Sequence, residues 1–149
     1  MIDKSLIGKE YPGFSFEVEK GKIRELVQAI GDSNPLYLDE KKAKESGFEE
    51  IPAPPTFPTV VLNWGGDLFK MLVTNLNIDV TRLLHGEEEY EYFQPIYAHD
   101  ILTCKIKIKD VYEKTGRSGV MDFITIEITF DNQKHQTAVI GRSTLIVRR

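Results

Sequence analysis

The fold is decided by the stretch from Thr56 to Val73, TFPTVVLNWGGDLFKMLV. A helix built from this stretch carries apolar side chains on nearly all sides, so one face of a flat sheet cannot bury it. Only a structure that wraps around the helix keeps those side chains from water. At about 1.5 Å per residue, the part from Phe57 to Val73 is roughly 25 Å long, which is enough for the axis of a small domain.

The chain changes from helical patterns to strand patterns after this helix. Apolar and polar residues alternate in four stretches, and turns at Thr115-Gly116-Arg117 and at Asp131 to Lys134 separate the last three. The strands are predicted over Glu87 to Phe93, Ile101 to Val111, Val120 to Phe130 and Gln136 to Val147. Consecutive strands with short turns indicate an antiparallel meander. The fold class is therefore α+β, the hot-dog architecture, in which an antiparallel sheet wraps around a long central helix, and we expect a single domain over 1–149.

Shorter elements are predicted before the central helix. Apolar residues recur at helical spacing from Ile23 to Ile30, and Gly31 follows where a helix C-cap stands. A polar surface helix is predicted from an N-cap at Asp39 to Gly47, and Phe14 and Phe16 mark a short edge strand. The segment that enters the central helix is stiff and poor in amide donors because it holds four of the seven prolines, Pro52, Pro54, Pro55 and Pro58.

Composition argues against several classes of function. The 149 residues have a net charge of -4, which argues against a nucleic-acid partner because such partners require clustered Lys and Arg. A single cysteine, Cys104, excludes an internal disulfide, and no spacing of His, Asp and Glu indicates a metal or another cofactor. No apolar run has the length of a signal peptide or a membrane span, so we expect a cytoplasmic protein without membrane contact.

Four short motifs occur in a characteristic order and spacing. They are Gly31-Asp32-Ser33-Asn34-Pro35, Ala43 with Gly47-Phe48, Ala53-Pro54-Pro55-Thr56-Phe57, and His85-Gly86-Glu87 followed by Tyr92 and Pro95. Over nearly its whole length the sequence resembles the MaoC-like (R)-hydratases and dehydratases of acyl thioesters. It is most similar to the fatty-acid-synthase-type dehydratase N-terminal domain and to the small subunits of the mycobacterial (3R)-hydroxyacyl-ACP dehydratases.

The chain departs from this family at the catalytic motif. The family sequence is Gly-Asp-x-Asn-Pro-x-His, in which the aspartate and the histidine hold the catalytic water. Asp32 keeps the first position, but Tyr37 stands in the second, and a phenol with a pKa of about 10 is a poor base near neutral pH. The family also receives the thioester oxygen on a backbone amide at the start of the central helix. Pro54-Pro55 replaces the expected His-Gly there, so this contact falls to Thr56 or Phe57.

The resemblance implies a set of site residues, each with a structural alternative. Asp32, Tyr37 and His85 are the predicted catalytic residues, and His85 supplies the missing imidazole only if it folds back to the Asp32 turn. Their alternatives are a turn residue, a packing residue and a strand cap. The residues predicted to bind the acyl thioester are Asn34, Pro55, Thr56, Phe57 and Trp64, of which Trp64 has a core or interface role as its alternative.

Two hypotheses of function follow from the resemblance. The first is a (3R)-hydroxyacyl-thioester dehydratase or enoyl hydratase in which Asp32 is essential. The second is a non-catalytic, acyl-chain-binding subunit that pairs with a His-bearing MaoC-like chain. Both imply an acyl-CoA or acyl-ACP ligand and a homodimer or heterodimer, and Lys41, Lys42 and Lys44 offer a local basic patch for an acidic carrier protein. A thioesterase is a third hypothesis, with Asp67 as the one carboxylate inside the central helix.

Overall fold

The computed structural model describes residues 2–116 and 119–149, so the predicted turn residue Arg117 lies outside the described residues. The helices are α1 (Lys20–Ile30), α2 (Glu40–Glu45), α3 (Phe57–Gly65) and α4 (Leu68–Lys70), and a π-helical turn (Met71–Asn75) continues α4. Short 3-10 turns lie at Lys4–Leu6, Pro35–Tyr37 and Val80–Arg82. The strands are β1 (Glu10–Glu17), β2 (Leu83–Tyr92), β3 (Ile101–Gly116), β4 (Gly119–Asp131) and β5 (Thr137–Arg148). Among the helices described, none is long and apolar enough to cross a membrane.

The five strands form one antiparallel sheet in the order β1-β3-β4-β5-β2. The meander predicted from the sequence holds for β3, β4 and β5. It is wrong for β2, which pairs with β5 at the far edge, with Leu83 opposite Val147 and Tyr92 opposite Val139. The edge strand expected around Phe14 is β1, which pairs with β3.

The connection from β2 to β3 explains why these two strands are not neighbours. Residues 93–100 do not form a hairpin turn but pair with the proline-rich segment. The Ala53 N–H donates to the carbonyl oxygen of Ile96 at 2.7 Å, and the Ala98 N–H donates to that of Ile51 at 2.9 Å. Because this connection is held against the proline-rich segment that precedes α3, it does not return the chain beside β2. β3 therefore pairs with β1 and β4 instead.

The core lies between the concave face of the sheet and the helices. The alternation in β3 places its apolar residues inside and its lysines outside, as the sequence predicted. Burial of each large aliphatic or aromatic side chain contributes about 1.5–3 kcal/mol relative to leaving it exposed, so this face dominates the stability of the fold. The buried residues that face each other across the core include Leu102, Cys104, Ile106, Ile108, Ile124, Ile126, Ile128 and Phe130 of the sheet and Ile23, Val27, Phe57, Val61 and Leu62 of the helices.

The central helix is not the continuous rod that the sequence predicted. It ends at Gly65, and Gly66 is extended, with φ −102° and ψ 151°. The ring of Phe14 in β1 lies so close that a Cβ atom on Gly66 would be 2.6 Å from one of its carbons. The Asp67 side chain then caps α4 by accepting from the Lys70 N–H at 3.1 Å. The glycine pair therefore lets β1 approach the helix, and the helix breaks there.

One flank of the central helices is uncovered in a single chain. Trp64 is 70% exposed and Phe69 is 63% exposed, whereas the opposite side of the helix packs on the sheet. The edge strand β2 is open as well, because β5 is its one neighbour in the sheet.

The upstream helices agree with their sequence signals. α1 ends at Gly31, which has the left-handed φ of 70°. α2 begins after Asp39, whose side chain accepts from the Lys42 N–H at 3.0 Å. Thr56 occupies the N-cap position of α3 but makes no side-chain capping hydrogen bond.

Gly13 in the β1 bulge provides a test of how tightly β1 packs. A Cβ atom on Gly13 would overlap the carbonyl oxygen of Cys104 in β3. We therefore expect Gly13→Ala to lower the free energy of unfolding by about 2–4 kcal/mol, measured by urea denaturation. Gly21→Ala is the control, because nothing lies within 4 Å of a Cβ atom there. It should be neutral or add up to about 1 kcal/mol, since Gly21 lies within α1. Equal stability of the two variants would contradict this packing.

Candidate active site

The turn after α1 holds Asp32 in a defined pose. The Asp32 N–H donates to the carbonyl oxygen of Val27 at 3.0 Å. Its Oδ1 accepts from the Asn34 N–H at 2.8 Å, and Asn34 Oδ1 accepts from the Leu36 N–H at 3.2 Å. Asp32 and Asn34 thus both act as turn residues. Oδ2 of Asp32 makes no hydrogen bond with a described residue, so half of this half-buried carboxylate is available to a ligand.

Tyr37 lies next to Asp32 because the 3-10 turn folds the chain back. The pKa of the Tyr37 phenol is raised by burial and, to a smaller extent, by the negative charge of Asp32. A phenol with a raised pKa stays protonated near neutral pH. A neutral phenol can donate a hydrogen bond and is a poor general base near neutral pH.

An apolar groove of about 300 Å³ opens beside Tyr37. We refer to it as the Tyr37 groove, and it is lined by Tyr37, Phe48, Pro52, Ala53, Pro55, Tyr92, Phe93, Gln94 and Pro95. The Tyr92 hydroxyl donates to the carbonyl oxygen of Pro55 at 2.8 Å. Burial raises the pKa of Tyr92, and the nearby Tyr37 raises it further. Tyr37, Tyr92 and Pro55 are therefore connected along one side of the groove. Asp32 does not line the groove itself but interacts electrostatically with Tyr37.

The start of α3 presents one free amide close to this groove. The Phe57 N–H donates to the carbonyl oxygen of Pro54 at 2.9 Å. The Phe57 ring is fully buried and packs edge-on against Phe16 at 6.4 Å between ring centroids. Thr56 is exposed, and its N–H makes no hydrogen bond with a described residue. The sequence predicts that the amide of Thr56 or of Phe57 receives the thioester oxygen. Of these two, the Thr56 N–H is the one that makes no hydrogen bond with a described residue.

His85 and Trp64 lie away from the Tyr37 groove. His85 is in β2 opposite Leu145, and its Nε2 lies 3.0 Å from Glu88 Oε2 and 3.3 Å from Ser143 Oγ. Seven residues separate it from Tyr92, roughly 20 Å along the strand, so His85 does not fold back to the Asp32 turn within one chain. Trp64 lies in the last turn of α3 on the uncovered flank, where the Lys22 ammonium lies 4.1 Å from its ring centroid.

Comparison with known proteins identifies the family. The family described as FAS1-like, dehydratase domain region, matches residues 5–140. This chain belongs to that family. A UPF0336 protein of Thermobifida fusca is 33% identical to it over 148 residues, which cover 99% of this chain and 94% of the relative.

Solved structures share the fold of this FAS1-like dehydratase-region chain. The C-terminally truncated HadBC (3R-hydroxyacyl-ACP dehydratase) complex from Mycobacterium tuberculosis has a chain that is 22% identical, with a TM-score of 0.78 and coverage of 95% of this chain and 96% of that one. A MaoC-like dehydratase from Rhodospirillum rubrum is 18% identical, with a TM-score of 0.71 and coverage of 96% and 92%. The predicted hot-dog fold and the MaoC-like resemblance are confirmed.

Sequence reasoning did not assign the aromatic wall of the groove to the site. Tyr92 and Pro95 carried the resemblance, but Phe48, Tyr92 and Phe93 were not among the predicted site residues. The sequence signal for this wall is the alternation in β2, which places Tyr90 and Tyr92 on the same face of the strand. Both side chains point toward the start of α3. The Tyr90 hydroxyl lies 2.7 Å from Thr59 Oγ1, as Tyr92 lies against Pro55.

The residues that line the Tyr37 groove include neither a metal-binding cluster nor the carboxylate considered for a thioesterase. Within residues 2–116 and 119–149, no cluster of three or more His, Cys, Asp or Glu residues could hold a metal ion. Asp67 is exposed at the break between α3 and α4, where it caps α4, and it does not line the Tyr37 groove.

The three tyrosines at this end of the fold have a measurable signature. The pKa values of Tyr37, Tyr90 and Tyr92 are all raised, chiefly by burial. The fold thus favours their neutral form, and this contribution to stability is fully present below about pH 10 and is lost as pH rises through the higher folded pKa values. In a titration monitored by tyrosinate absorbance, we expect three of the six tyrosines to ionise above the usual pH of about 10. Tyr37→Phe should reduce the number of these late-ionising tyrosines to two. Six tyrosines ionising together near pH 10 in the folded chain would refute this.

Proposed function

We propose that this chain is the acyl-thioester-binding half of a hydratase/dehydratase pair, in which a MaoC-like partner chain supplies the imidazole base. The reaction is the reversible addition of water to a 2-enoyl thioester, which gives the (3R)-hydroxyacyl thioester. The single observation that carries the proposal is that a phenol, Tyr37, and not an imidazole lines the groove beside Asp32. An acid–base reaction at neutral pH needs a base with a pKa near 7, and neither phenol at this site provides one.

The groove supports a fatty acyl thioester of coenzyme A or of an acyl carrier protein as the ligand. Its lining is mostly apolar, which suits an alkyl chain. Removal of the α proton places negative charge on the thioester oxygen. The free Thr56 N–H at the start of α3 is suited to receive this oxygen, because a helix N-terminus favours negative charge. Fatty acid metabolism is therefore the proposed setting.

The uncovered surfaces support a two-chain assembly. An open edge strand and an exposed apolar helix flank are surfaces that soluble proteins usually cover. Here they are β2 and the flank that carries Trp64 and Phe69. The similar chain from Mycobacterium tuberculosis comes from a complex of HadB and HadC. A heterodimer with a His-bearing chain follows from the missing base, and a homodimer remains the competing assembly.

A second candidate function is an autonomous hydratase. It is favoured by Asp32, whose Oδ2 is free of hydrogen bonds with described residues and lies beside a phenolic donor. In that case Asp32 would hold the catalytic water as the base and Tyr37 would assist as a donor.

A hydration assay with a medium-chain enoyl-CoA, monitored by the loss of enoyl absorbance, separates the two functions. We expect the purified chain to be nearly inactive, and co-expression with a His-bearing MaoC-like chain to raise the rate about 100-fold or more. Asp39→Asn is the matched control for Asp32→Asn, because Asp39 is an exposed turn carboxylate that caps α2. High activity of the chain alone that is lost in Asp32→Asn and kept in Asp39→Asn would establish the second candidate instead.

Replacement of Tyr37 tests whether the imidazole is the missing group. Tyr37→His restores the family pair, and we expect the chain alone to gain at least about tenfold in hydration rate, because general acid–base catalysis contributes roughly 10² to 10⁴. Tyr37→Phe is the control and should gain nothing. If Tyr37→His folds, as judged by circular dichroism, and shows the same rate as Tyr37→Phe, the missing base does not explain the inactivity.

A further inference from the structure

A second hollow of about 260 Å³ shares the side chain of Tyr37 with the Tyr37 groove. We refer to it as the Arg24 hollow. It is lined by Lys20, Arg24, Tyr37, Leu38, Glu40 and Ile51. The two depressions share Tyr37 as a common wall, so a long ligand could occupy both.

The Arg24 hollow has a surplus of positive charge. Lys20 and Arg24 are one helical turn apart on α1 and therefore point to the same side. Glu40 is the carboxylate among the lining residues, and it is shared: Lys20 Nζ lies 3.6 Å from one of its oxygens and Lys44 Nζ lies 3.0 Å from the other. Arg24 forms no ion pair with any residue that the structure describes. Its guanidinium is therefore available to an anion.

The basic residues near the Arg24 hollow form ion pairs with carboxylates, whereas Arg24 forms none with a described residue. Lys42 Nζ lies 2.8 Å from Glu45, and Lys41 Nζ lies 4.0 Å from the same carboxylate. On α1, Lys22 Nζ lies 2.9 Å from Glu25. The basic patch that the sequence suggested on α2 is thus largely compensated, and the surplus of charge lies at Arg24.

We infer that the Arg24 hollow binds the phosphate of a phosphopantetheine arm, the group that coenzyme A and acyl carrier protein share. The inference rests on the proposed function, because it places the thioester end of the arm in the Tyr37 groove. A guanidinium matches phosphate geometry through paired N–H donors, and Lys20 adds a second charge. Leu38 and Ile51 provide apolar contact for the methyl groups of the arm.

The length of the arm fits the spacing of the two depressions. Arg24 precedes Asp32 by eight residues and Lys20 precedes it by twelve, which corresponds to roughly 12 Å and 18 Å along α1. The arm contains two amide groups, and thirteen bonds join its sulfur to its phosphorus. At about 1.2 Å per bond, one third of the 3.6 Å of an extended residue, it spans about 16 Å. A phosphate between Arg24 and Lys20 is therefore within reach of a thioester beside Asp32.

Calorimetric titration of the purified chain with 4′-phosphopantetheine and with pantetheine, which lacks the phosphate, tests the inference. We expect the phosphorylated compound to bind at least about fivefold more tightly, and Arg24→Gln to remove most of this difference. Lys41→Gln is the control, because it removes one positive charge from a nearby exposed side chain. Two outcomes would overturn the site: equal binding of the two compounds, or equal weakening by Arg24→Gln and Lys41→Gln.

Two further ligands distinguish the sources of the phosphate. Coenzyme A binding more tightly than phosphopantetheine identifies the nucleotide-bearing carrier, and competition by holo acyl carrier protein identifies the protein carrier. If Arg24→Gln loses the tighter binding of coenzyme A or the competition by holo acyl carrier protein, this supports a phosphate site at the Arg24 hollow.

The kinetics of the active pair separate a failure of this site from a failure of the proposed function. Arg24→Gln should raise KM for enoyl-CoA several-fold with kcat unchanged, and should leave KM for enoyl-pantetheine as it was. If hydration depends on Asp32 but proceeds equally well with enoyl-CoA and enoyl-pantetheine, the phosphate site at Arg24 is refuted and the proposed function is retained. Phosphate binding that depends on Arg24, without hydration by any pairing, would overturn the function instead.

Discussion

The packing of α3 into the concave face of the sheet is the contact on which the rest of the structure depends. Phe57 and Val61 are fully buried against the apolar face of β3 and β4. This contact places the first turn of α3, and with it the proline-rich segment, at one end of the sheet. Residues 93–100 pair with that segment, so the walls of the Tyr37 groove are positioned by the same core that stabilises the fold.

The chemistry of the groove follows from what surrounds Asp32. A carboxylate that keeps one oxygen in its own turn and presents the other beside a protonated phenol can orient a polar ligand. It lacks the imidazole that makes the Asp/His pair of the family effective at neutral pH. Burial moves the phenols of Tyr37 and Tyr92 further from the range of a base. The site is thus suited to hydrogen-bond donation, and the proposed function assigns proton abstraction to an imidazole of a partner chain.

The surfaces that a single chain leaves uncovered are those on which a partner chain could pack. The open edge of β2 and the flank with Trp64 and Phe69 leave apolar area in contact with water. Arg24 lines the hollow that shares Tyr37 with the groove, and it is exposed and forms no ion pair with a described residue. The apolar surfaces favour a protein partner, whereas the cationic one favours the anionic end of a ligand.

The sequence by itself determined the hot-dog fold, the inward face of β3 and β4, and both upstream helices, because hydrophobic periodicity and capping residues act locally. It also located the Asp32 turn and the Tyr37 departure. Only the tertiary structure decided that β2 pairs with β5, that the central helix breaks at Gly66 beside Phe14, and that His85 lies along β2 away from the Tyr37 groove. Each of these depends on contacts between residues distant in the chain, which local patterns do not encode. For the same reason, the aromatic wall of the groove and the free charge of Arg24 became visible only in three dimensions.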